Sequence, residues 1–223
     1  MTGKRTYHDA CGIARALDIV GERWAILVVR ELLLGPKRFT DIRAGLPSLS
    51  SDVLAQRLRD LEASGVVTQR RLPPPAASKV YELTAMGAAL EPALAALGRW
   101  GGANAPAPAE GAGMSVDAHI LHLTTLFDPD LAGDFDFRLE LVLGEQPFFT
   151  TVSAGRIEAG RGVAHAPDAT LHTDAATFLG LVRGWHTFAE TLAAGDIEIR
   201  GDEEAFQRFL GLFPLPAPAV AAA

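Results

Sequence analysis

The chain has 223 residues, of which 48% are hydrophobic and 21% are charged, and its formal net charge is −7. This composition is typical of a globular protein and excludes a disordered or fibrous chain. The first residues lack the apolar run of a signal peptide, no stretch approaches the roughly 18 apolar residues of a membrane span, and the single cysteine, Cys11, fits a reducing cytosol. We therefore expect a cytoplasmic protein that does not enter the membrane.

The charge is distributed unevenly along the chain. Residues 1–104 carry 14 Lys and Arg against 10 Asp and Glu, a formal charge of +4. Residues 105–223 carry 6 Arg against 17 Asp and Glu, a formal charge of −11. A basic half can approach phosphate groups, whereas an acidic half has to be held away from them. The contrast predicts two domains with different partners.

Residues 1–102 are expected to form a mainly helical N-terminal domain. Apolar residues recur at helical spacing in three segments, residues 10–20, 22–34 and 38–46. A fourth helix begins at a cap formed by Ser50 or Ser51 and is closed by Gly65.

Two β-like runs follow the fourth helix, over residues 66–72 and 79–83, and a Pro-rich turn joins them. Thr84 caps a last helix, in which Pro92 introduces a kink. A helix-turn-helix followed by a β-hairpin is a winged helix, a fold that places its second helix in the major groove of DNA.

The fourth helix is amphipathic. Leu54, Leu58 and Leu61 form its buried stripe. Gln56 and Arg59 lie on the opposite face, roughly 140–200° from Leu54 at about 100° per residue. Gln and Arg side chains read adenine and guanine edges in the major groove through paired hydrogen bonds. By itself this pattern also fits a solvated surface helix.

Basic and hydroxyl side chains flank the outward face of this helix. Two cations begin the preceding short helix, three lie on the hairpin, and the serines at the helix start can donate to a phosphate. The predicted DNA contacts are Lys37, Arg38, Ser50, Ser51, Gln56, Arg57, Arg59, Arg70, Arg71 and Lys79.

Four motifs of this half resemble the HxlR-type winged-helix regulators of bacteria. They are GERW at residues 21–24, LLLGPKRF at 32–39, LAQRLRDLE at 54–62 and YELT at 81–84. The resemblance spans residues 8–102 and implies a dimeric fold that contacts double-stranded DNA through its recognition helix and its wing. One position departs from the family, because a residue that is often basic there is Asp52 in this chain, and the operator sequence stays open.

Leftover apolar surface also predicts a homodimer. The first and last helices of the domain carry apolar stripes that a small winged domain cannot bury alone, namely Ile13, Leu17 and Val20, and Leu90, Leu94 and Leu97. Two packed copies would present recognition helices to half-sites roughly 34–36 Å apart. Packing of the stripes on the second domain is the alternative.

Cys11 is a candidate sensor of oxidants or electrophiles, since many HxlR-type proteins carry a cysteine near this position. Arg15 lies one helical turn away and would favour a reactive thiol. The alternative is a small hydrophobic side chain near the dimer interface.

Gly, Ala and Pro dominate the segment at residues 103–113, which predicts a linker to a C-terminal domain at residues 114–214, and residues 215–223 predict a disordered tail. Helical and alternating patterns intermingle in the second domain, with Asp174 and Asp202 as helix caps. We expect an α+β fold, an antiparallel sheet with helices on one side. The predicted helices and strands lie at residues 114–127, 135–144, 148–153, 156–160, 169–173, 175–182, 187–194, 197–200 and 203–213.

The stretches PDATL at residues 167–171, DAATF at 174–178 and AAGDIEIRGD at 193–202 resemble the sterol-carrier-protein-like fold. This resemblance implies a tunnel for a small apolar ligand or lipid between the sheet and the helices. The side chains expected to line or cover it are Phe178, Leu181, Trp185, Phe188, Phe206, Phe209 and Phe213. Ordinary core packing is the alternative for each of them.

No catalytic pattern stands out in either half. His119 and His122 are spaced for a shared helix face, yet no HExxH, phosphate loop or Ser/His/Asp pattern accompanies them. We therefore expect no enzyme, cofactor or metal site. The expected function is a homodimeric regulator that binds DNA and senses a small apolar ligand. The alternatives are a carrier of hydrophobic ligands with an N-terminal interaction module, and a thiol-based regulator that responds through Cys11.

Overall fold

A computed structural model describes residues 6–73, 77–106 and 113–214. The chain divides into two compact units, Met1–Leu94 and Ala95–Ala223. The boundary falls inside a helix that continues to Asn104, so the first residues of the predicted linker are helical. Residues 107–112 and the predicted tail at 215–223 lie outside the described residues, and the proposed domain limits stay a prediction.

The first unit has the predicted order of helices followed by a hairpin. Leu54, Leu58 and Leu61 of α4 are buried in its core, as the apolar stripe predicts. Ser50 provides the N-cap, since its side chain accepts a hydrogen bond from the backbone N–H of Val53 at 3.3 Å. The elements are α1 Gly12–Val20, α2 Ala25–Leu32, α3 Phe39–Gly45, α4 Ser51–Ala63, β1 Val67–Arg71, β2 Lys79–Leu83 and α5 Ala85–Ala88. A further helix, α6 Glu91–Asn104, begins in this unit and ends in the second.

The last predicted helix is two helices. Thr84 caps α5 as expected, accepting from the N–H of Gly87 at 3.2 Å. The chain then turns and α6 starts at Glu91, directly before Pro92. Proline has no N–H to continue a preceding helix, so it is tolerated in the first turn of a new one. The break replaces the predicted kink.

The hairpin β1–β2 is antiparallel, and its register places Arg71 opposite Lys79 at the end next to the turn. Lys37 forms a β-bridge with Tyr81, with N–H···O distances of 3.0 and 2.8 Å between the two backbones. This bridge attaches the segment before α3 to the hairpin. The wing therefore has a fixed position relative to the start of α3.

The second unit is the predicted α+β domain, in which four consecutive strands lie between helices and a fifth strand lies between the last two helices. Asp174 and Asp202 cap α9 and α11 as expected, each accepting from backbone N–H groups of the first turn. The elements are α7 Val116–Leu126, α8 Pro129–Ala132, β3 Phe137–Leu143, β4 Gln146–Ser153, β5 Arg156–Arg161, β6 Ala169–Thr173, α9 Ala175–Val182, α10 Phe188–Ala194, β7 Glu198–Gly201 and α11 Glu203–Leu210.

One strand pairing corrects the expected antiparallel sheet. The strand order is β5-β4-β3-β6-β7, and β3 pairs with β6 in parallel, whereas the other three pairs are antiparallel. β5 ends at the same edge of the sheet as β3, and residues 162–168 carry the chain back to the other edge, so that β6 starts beside the start of β3 and runs parallel to it. Among the described residues, no helix has the length and apolar character needed to cross a membrane.

Candidate nucleic-acid interface and ligand cleft

The outward face of α4 carries a chain of hydrogen bonds between exposed side chains. Arg59 Nη2 donates to Gln56 Oε1 at 2.7 Å, and Gln56 Nε2 donates to Asp60 Oδ1 at 2.8 Å. Asp52 lies exposed in the first turn of the same helix. The structure therefore brings Gln56 and Arg59 together on one accessible surface, opposite the buried leucines, as the helical spacing predicts.

Arg57 has a different environment from its neighbours on α4. Its guanidinium lies 3.3 Å from Glu22 and 3.0 Å from Asp60, and its side chain is only 15% exposed. The ion pair to Glu22 ties α4 to the segment that precedes α2. Arg57 thus holds the helix in place and is less available to DNA than the exposed Arg59.

Lys37 corrects the predicted set of phosphate contacts. Its ammonium Nζ lies 2.7 Å from Oε2 of Glu31, which is fully buried, and Lys37 itself is 7% exposed. Arg30 Nη2 reaches the other oxygen of the same carboxylate at 2.8 Å. An ammonium in this position compensates a buried carboxylate, so it is not available to a phosphate at the surface.

The wing presents its cations at the end next to the turn. Arg71 and Lys79 are both exposed and sit directly opposite each other across the two strands. Like charges in this relation destabilise a hairpin slightly unless an anion lies between them. Arg70, by contrast, is paired with Glu82 at 2.9 Å. Arg71 and Lys79 are therefore the wing cations best suited to a phosphate.

The remaining predicted contacts lie at helix starts. Arg38 is exposed at the N-cap of α3, where its backbone N–H donates to Asp41 Oδ2 at 3.2 Å. Ser50 and Ser51 are exposed at the N-cap and first position of α4. Backbone N–H groups at such a position favour a bound phosphate.

Five of the seven side chains predicted to line or cover a tunnel lie in the core of the second unit. Phe178, Leu181, Phe206, Phe209 and Phe213 are all buried. The ring centroid of Phe209 lies 6.3 Å from that of Phe206 and 4.9 Å from that of Phe213. The burial and mutual packing of these residues agree with ordinary core packing, the alternative for each of them.

The other two predicted ligand residues lie at the surface. Trp185 is 66% exposed, and Phe188 is half-buried, with its ring centroid 5.7 Å from that of Phe206. These positions depend on how α9, α10 and α11 pack, which apolar spacing along the chain does not reveal.

A cleft of about 450 Å³ opens elsewhere in the second unit, and none of the seven predicted ligand residues lines it. Its walls come from the C-terminal half of α6, the end of α7 and the start of α8. The lining residues are Gly98, Arg99, Gly102, Ala103, His122, Thr125, Leu126, Phe127, Asp128, Pro129 and Pro214.

His122 on this wall is an acceptor at neutral pH. Its Nε2 lies 2.6 Å from Nη2 of Arg183, which can only donate. Burial, followed by the charge of Arg183 and by His119, lowers the pKa of His122 to about 4. Burial also lowers the pKa of Arg183. The pair is a neutral imidazole bound to a guanidinium.

Comparison with known proteins decides the family. A model of the HxlR-like helix-turn-helix family matches residues 19–108. The uncharacterised HTH-type transcriptional regulator YvaP of Bacillus subtilis (strain 168) is 43% identical over 86 residues, which cover 39% of this chain and 80% of YvaP. The chain belongs to the HxlR-like helix-turn-helix family. The reduced form of the transcriptional regulator YodB from B. subtilis is 33% identical, with a TM-score of 0.38 and coverage of 42% of this chain and 92% of YodB.

The half that follows the HxlR-like domain matches a second family model. Residues 107–221 match the alkyl sulfatase C-terminal family. A double mutant of the sec-alkyl sulfatase PisA1 is similar at 20% identity and a TM-score of 0.39, over 41% of this chain and 15% of that one. The prediction of an α+β domain behind an HxlR-like domain is confirmed.

Several residues that shape the HxlR-like domain were not predicted from the sequence. Glu22 and Asp60 hold Arg57, and Glu31 holds Lys37. A carboxylate inside the helical stripe of α2 was the available signal for Glu31, because a buried charge requires a partner. Cys11 is exposed at the N-cap of α1. No group of three or more metal-ligating side chains occurs among the described residues.

Proposed function

We propose that this protein is a homodimeric transcriptional regulator that inserts α4 into the major groove and contacts phosphates with its wing. The exposed pair of Gln56 and Arg59 on the face of α4 opposite its buried leucines is the observation that carries this proposal. Arginine is the side chain that most often reads guanine, through O6 and N7. The formal charge of +4 on residues 1–104 supports approach to DNA despite the acidic second half.

The wing supports the same assignment. Arg71 and Lys79 face each other at the end of the hairpin, where a phosphate between them would relieve their repulsion. The exposed start of α4, with Ser50 and Ser51, offers a second position for a phosphate. Phosphate contacts of this kind fix the orientation of a recognition helix without selecting a sequence.

Exposed apolar side chains support the homodimer. Ile13 and Leu17 on α1 are 73% and 42% exposed, and they share one helix face while Ala14 and Val20 are buried. On α6, Leu97 and Trp100 are 54% and 64% exposed. Exposed apolar side chains that share a helix face are typical of protein contacts, and a second copy of the chain would cover both faces.

DNA binding at graded salt concentrations tests this function. We expect the full chain to bind DNA from upstream of its own gene, with log K falling linearly as log salt rises, because each neutralised phosphate releases counterions. Tight binding should require a DNA site with two half-sites roughly 34–36 Å apart, or a multiple of this distance. No binding at low salt would instead favour a carrier of hydrophobic ligands.

The second unit supplies the proposed sensing step. An apolar ligand bound there would change DNA affinity only if it binds the two functional states of the dimer unequally. The cleft beside α6 supports this part of the proposal because it has room for a ligand, whereas the aromatic residues of the core are buried. Native mass spectrometry of the purified protein would detect a ligand that co-purifies.

A thiol-responsive variant of the same function rests on Cys11. Its thiol is exposed at the start of α1, the helix that carries the proposed dimer face. A modification there would alter the contact between copies. A Cys11→Ser variant whose DNA binding still responds to oxidants or electrophiles would remove this possibility.

A further inference from the structure

The cleft in the second unit has the size and lining of a small-molecule site. Its volume of about 450 Å³ lies within the roughly 300–1,000 Å³ that is usual for ligand pockets. Carbon-rich side chains supply most of the wall, and a few polar groups interrupt it. The apolar lining consists of Ala103, Leu126, Phe127, Pro129 and Pro214.

The polar groups of the lining differ in how far they are already engaged. Asp128 Oδ1 accepts from the backbone N–H of Asp130 at 2.9 Å and caps α8. The hydroxyl of Thr125 donates to the carbonyl of Leu121 at 3.0 Å, so it can accept a hydrogen bond from a ligand but cannot donate one. His122 is neutral and bound to Arg183.

Arg99 is the exception. It is exposed on α6, and no hydrogen bond or ion pair joins its guanidinium to another residue in the part of the chain that the structure describes. Arg99 is also the one lining residue with a positive charge at neutral pH, because His122 is neutral there. A guanidinium next to an apolar wall matches a ligand with one anionic group and an apolar body.

We propose that this cleft binds an amphipathic organic monoanion, whose charged group pairs with Arg99 and whose apolar body packs against Leu126, Phe127 and Pro129. This inference rests on the proposed ligand-sensing role of the second unit and gives its ligand a chemical class. Helix α6 begins in the first unit at Glu91 and ends in the second at Asn104, so the ligand would contact the helix that links them.

Decanoate is a suitable probe, with decan-1-ol and decylamine as its neutral and cationic counterparts. We expect the full chain, measured by calorimetry without DNA, to bind decanoate about tenfold or more tightly than either counterpart, because only the anion pairs with Arg99. Arg99→Gln should remove this preference. Equal binding of the three probes, preferential binding of decylamine, or an unchanged preference in Arg99→Gln would overturn the proposal.

Two glycines of α6 provide a matched pair for locating the site. A Cβ at Gly101 or at Gly102 would meet no atom within 4 Å, yet only Gly102 lines the cleft. Leucine also favours a helix over glycine, so both variants should fold. We expect Gly102→Leu to weaken decanoate binding at least tenfold and Gly101→Leu to leave it within about twofold.

Equal loss in the two leucine variants, or no loss in either, would place the ligand elsewhere and overturn the assignment. The measurement is independent of the proposed DNA binding. A chain that binds decanoate but no DNA would refute the regulator and keep the cleft, and a chain that binds DNA but no decanoate would do the reverse.

Discussion

Arg59 and Gln56 are joined on the exposed face of α4, with Nη2 of the arginine 2.7 Å from Oε1 of the glutamine. Because Gln56 also donates to Asp60 at 2.8 Å, both ends of its amide are engaged. An amide in this state has to give up its partners before it can form the two hydrogen bonds that read adenine. It is better placed to orient the guanidinium of Arg59.

We therefore expect Arg59→Ala to cost about 1–3 kcal/mol of discrimination at one base pair of each half-site. Gln56→Ala should reduce the preference at that same base pair, because it removes the acceptor that orients Arg59. Selection from a randomised DNA library would measure both effects. If Gln56→Ala instead abolishes an adenine preference at a different position, Gln56 reads DNA directly.

Wing variants should change affinity without changing sequence preference. Removing Arg71 or Lys79 should weaken binding to all sequences alike and reduce the salt slope by about 1, because each loses one phosphate contact. Arg70→Ala is the matched control, since Arg70 is paired with Glu82. Binding titrations at several salt concentrations test this. A larger slope change for Arg70→Ala than for Arg71→Ala would contradict the assignment.

Lys37 should act on stability. Lys37→Met leaves the fully buried Glu31 without its 2.7 Å partner, and breaking a buried pair costs about 3–5 kcal/mol of unfolding free energy. Because Arg30 remains 2.8 Å from the same carboxylate, we expect a loss toward the lower end of this range. Urea denaturation would measure it, and Lys79→Met, at an exposed site, should change stability little. A stable Lys37→Met variant with a weaker salt dependence of DNA binding would restore Lys37 as a phosphate contact.

The dimer prediction depends on an exposed apolar face of α1. Ile13→Glu together with Leu17→Glu should convert the protein to a monomer, since a charge cannot be buried in an apolar contact without a partner. Analytical ultracentrifugation gives the mass. Arg15→Glu, on the same helix, is the control for charge alone. A double variant that remains dimeric would show that α1 lies outside the interface.

Acid should destabilise the second unit through His122. Its folded-state pKa of about 4 lies below the ordinary 6.5, so the unfolded state takes up the proton first as pH falls. The stabilisation is complete above pH 6.5 and is lost between 6.5 and 4, to the extent of about 3 kcal/mol.

Thermal denaturation at pH 7 and pH 5 would measure the larger part of this loss, about 2 kcal/mol. His122→Gln should flatten the pH dependence, whereas His172→Gln, at an exposed position of β6, should preserve it. If the stability of His122→Gln changes with pH as steeply as that of the unmodified chain, His122 is not the source of the pH dependence.

Local patterns in the sequence predicted much of the winged domain. The leucine stripe of α4, the caps at Ser50, Thr84 and Asp174, and the hairpin all depend on residues close in sequence, and the structure has them where the spacing puts them. Periodicity sets which face of a helix is buried, whatever the helix packs against. The outward positions of Gln56 and Arg59 follow from the same regularity.

Partners and burial depended on segments that are distant in sequence. Lys37 and Arg38 are neighbours with similar chemistry, yet the bridge from Lys37 to Tyr81 buries one side chain and leaves the other exposed. Long-range packing likewise turned the aromatic residues of the second unit into its core and opened a cleft beside α6. The sequence alone determined the family, the order of elements and the outward face of α4, because these rest on local spacing. Only the tertiary structure decided which charges are paired and where a ligand has room, because both depend on which side chains meet in space.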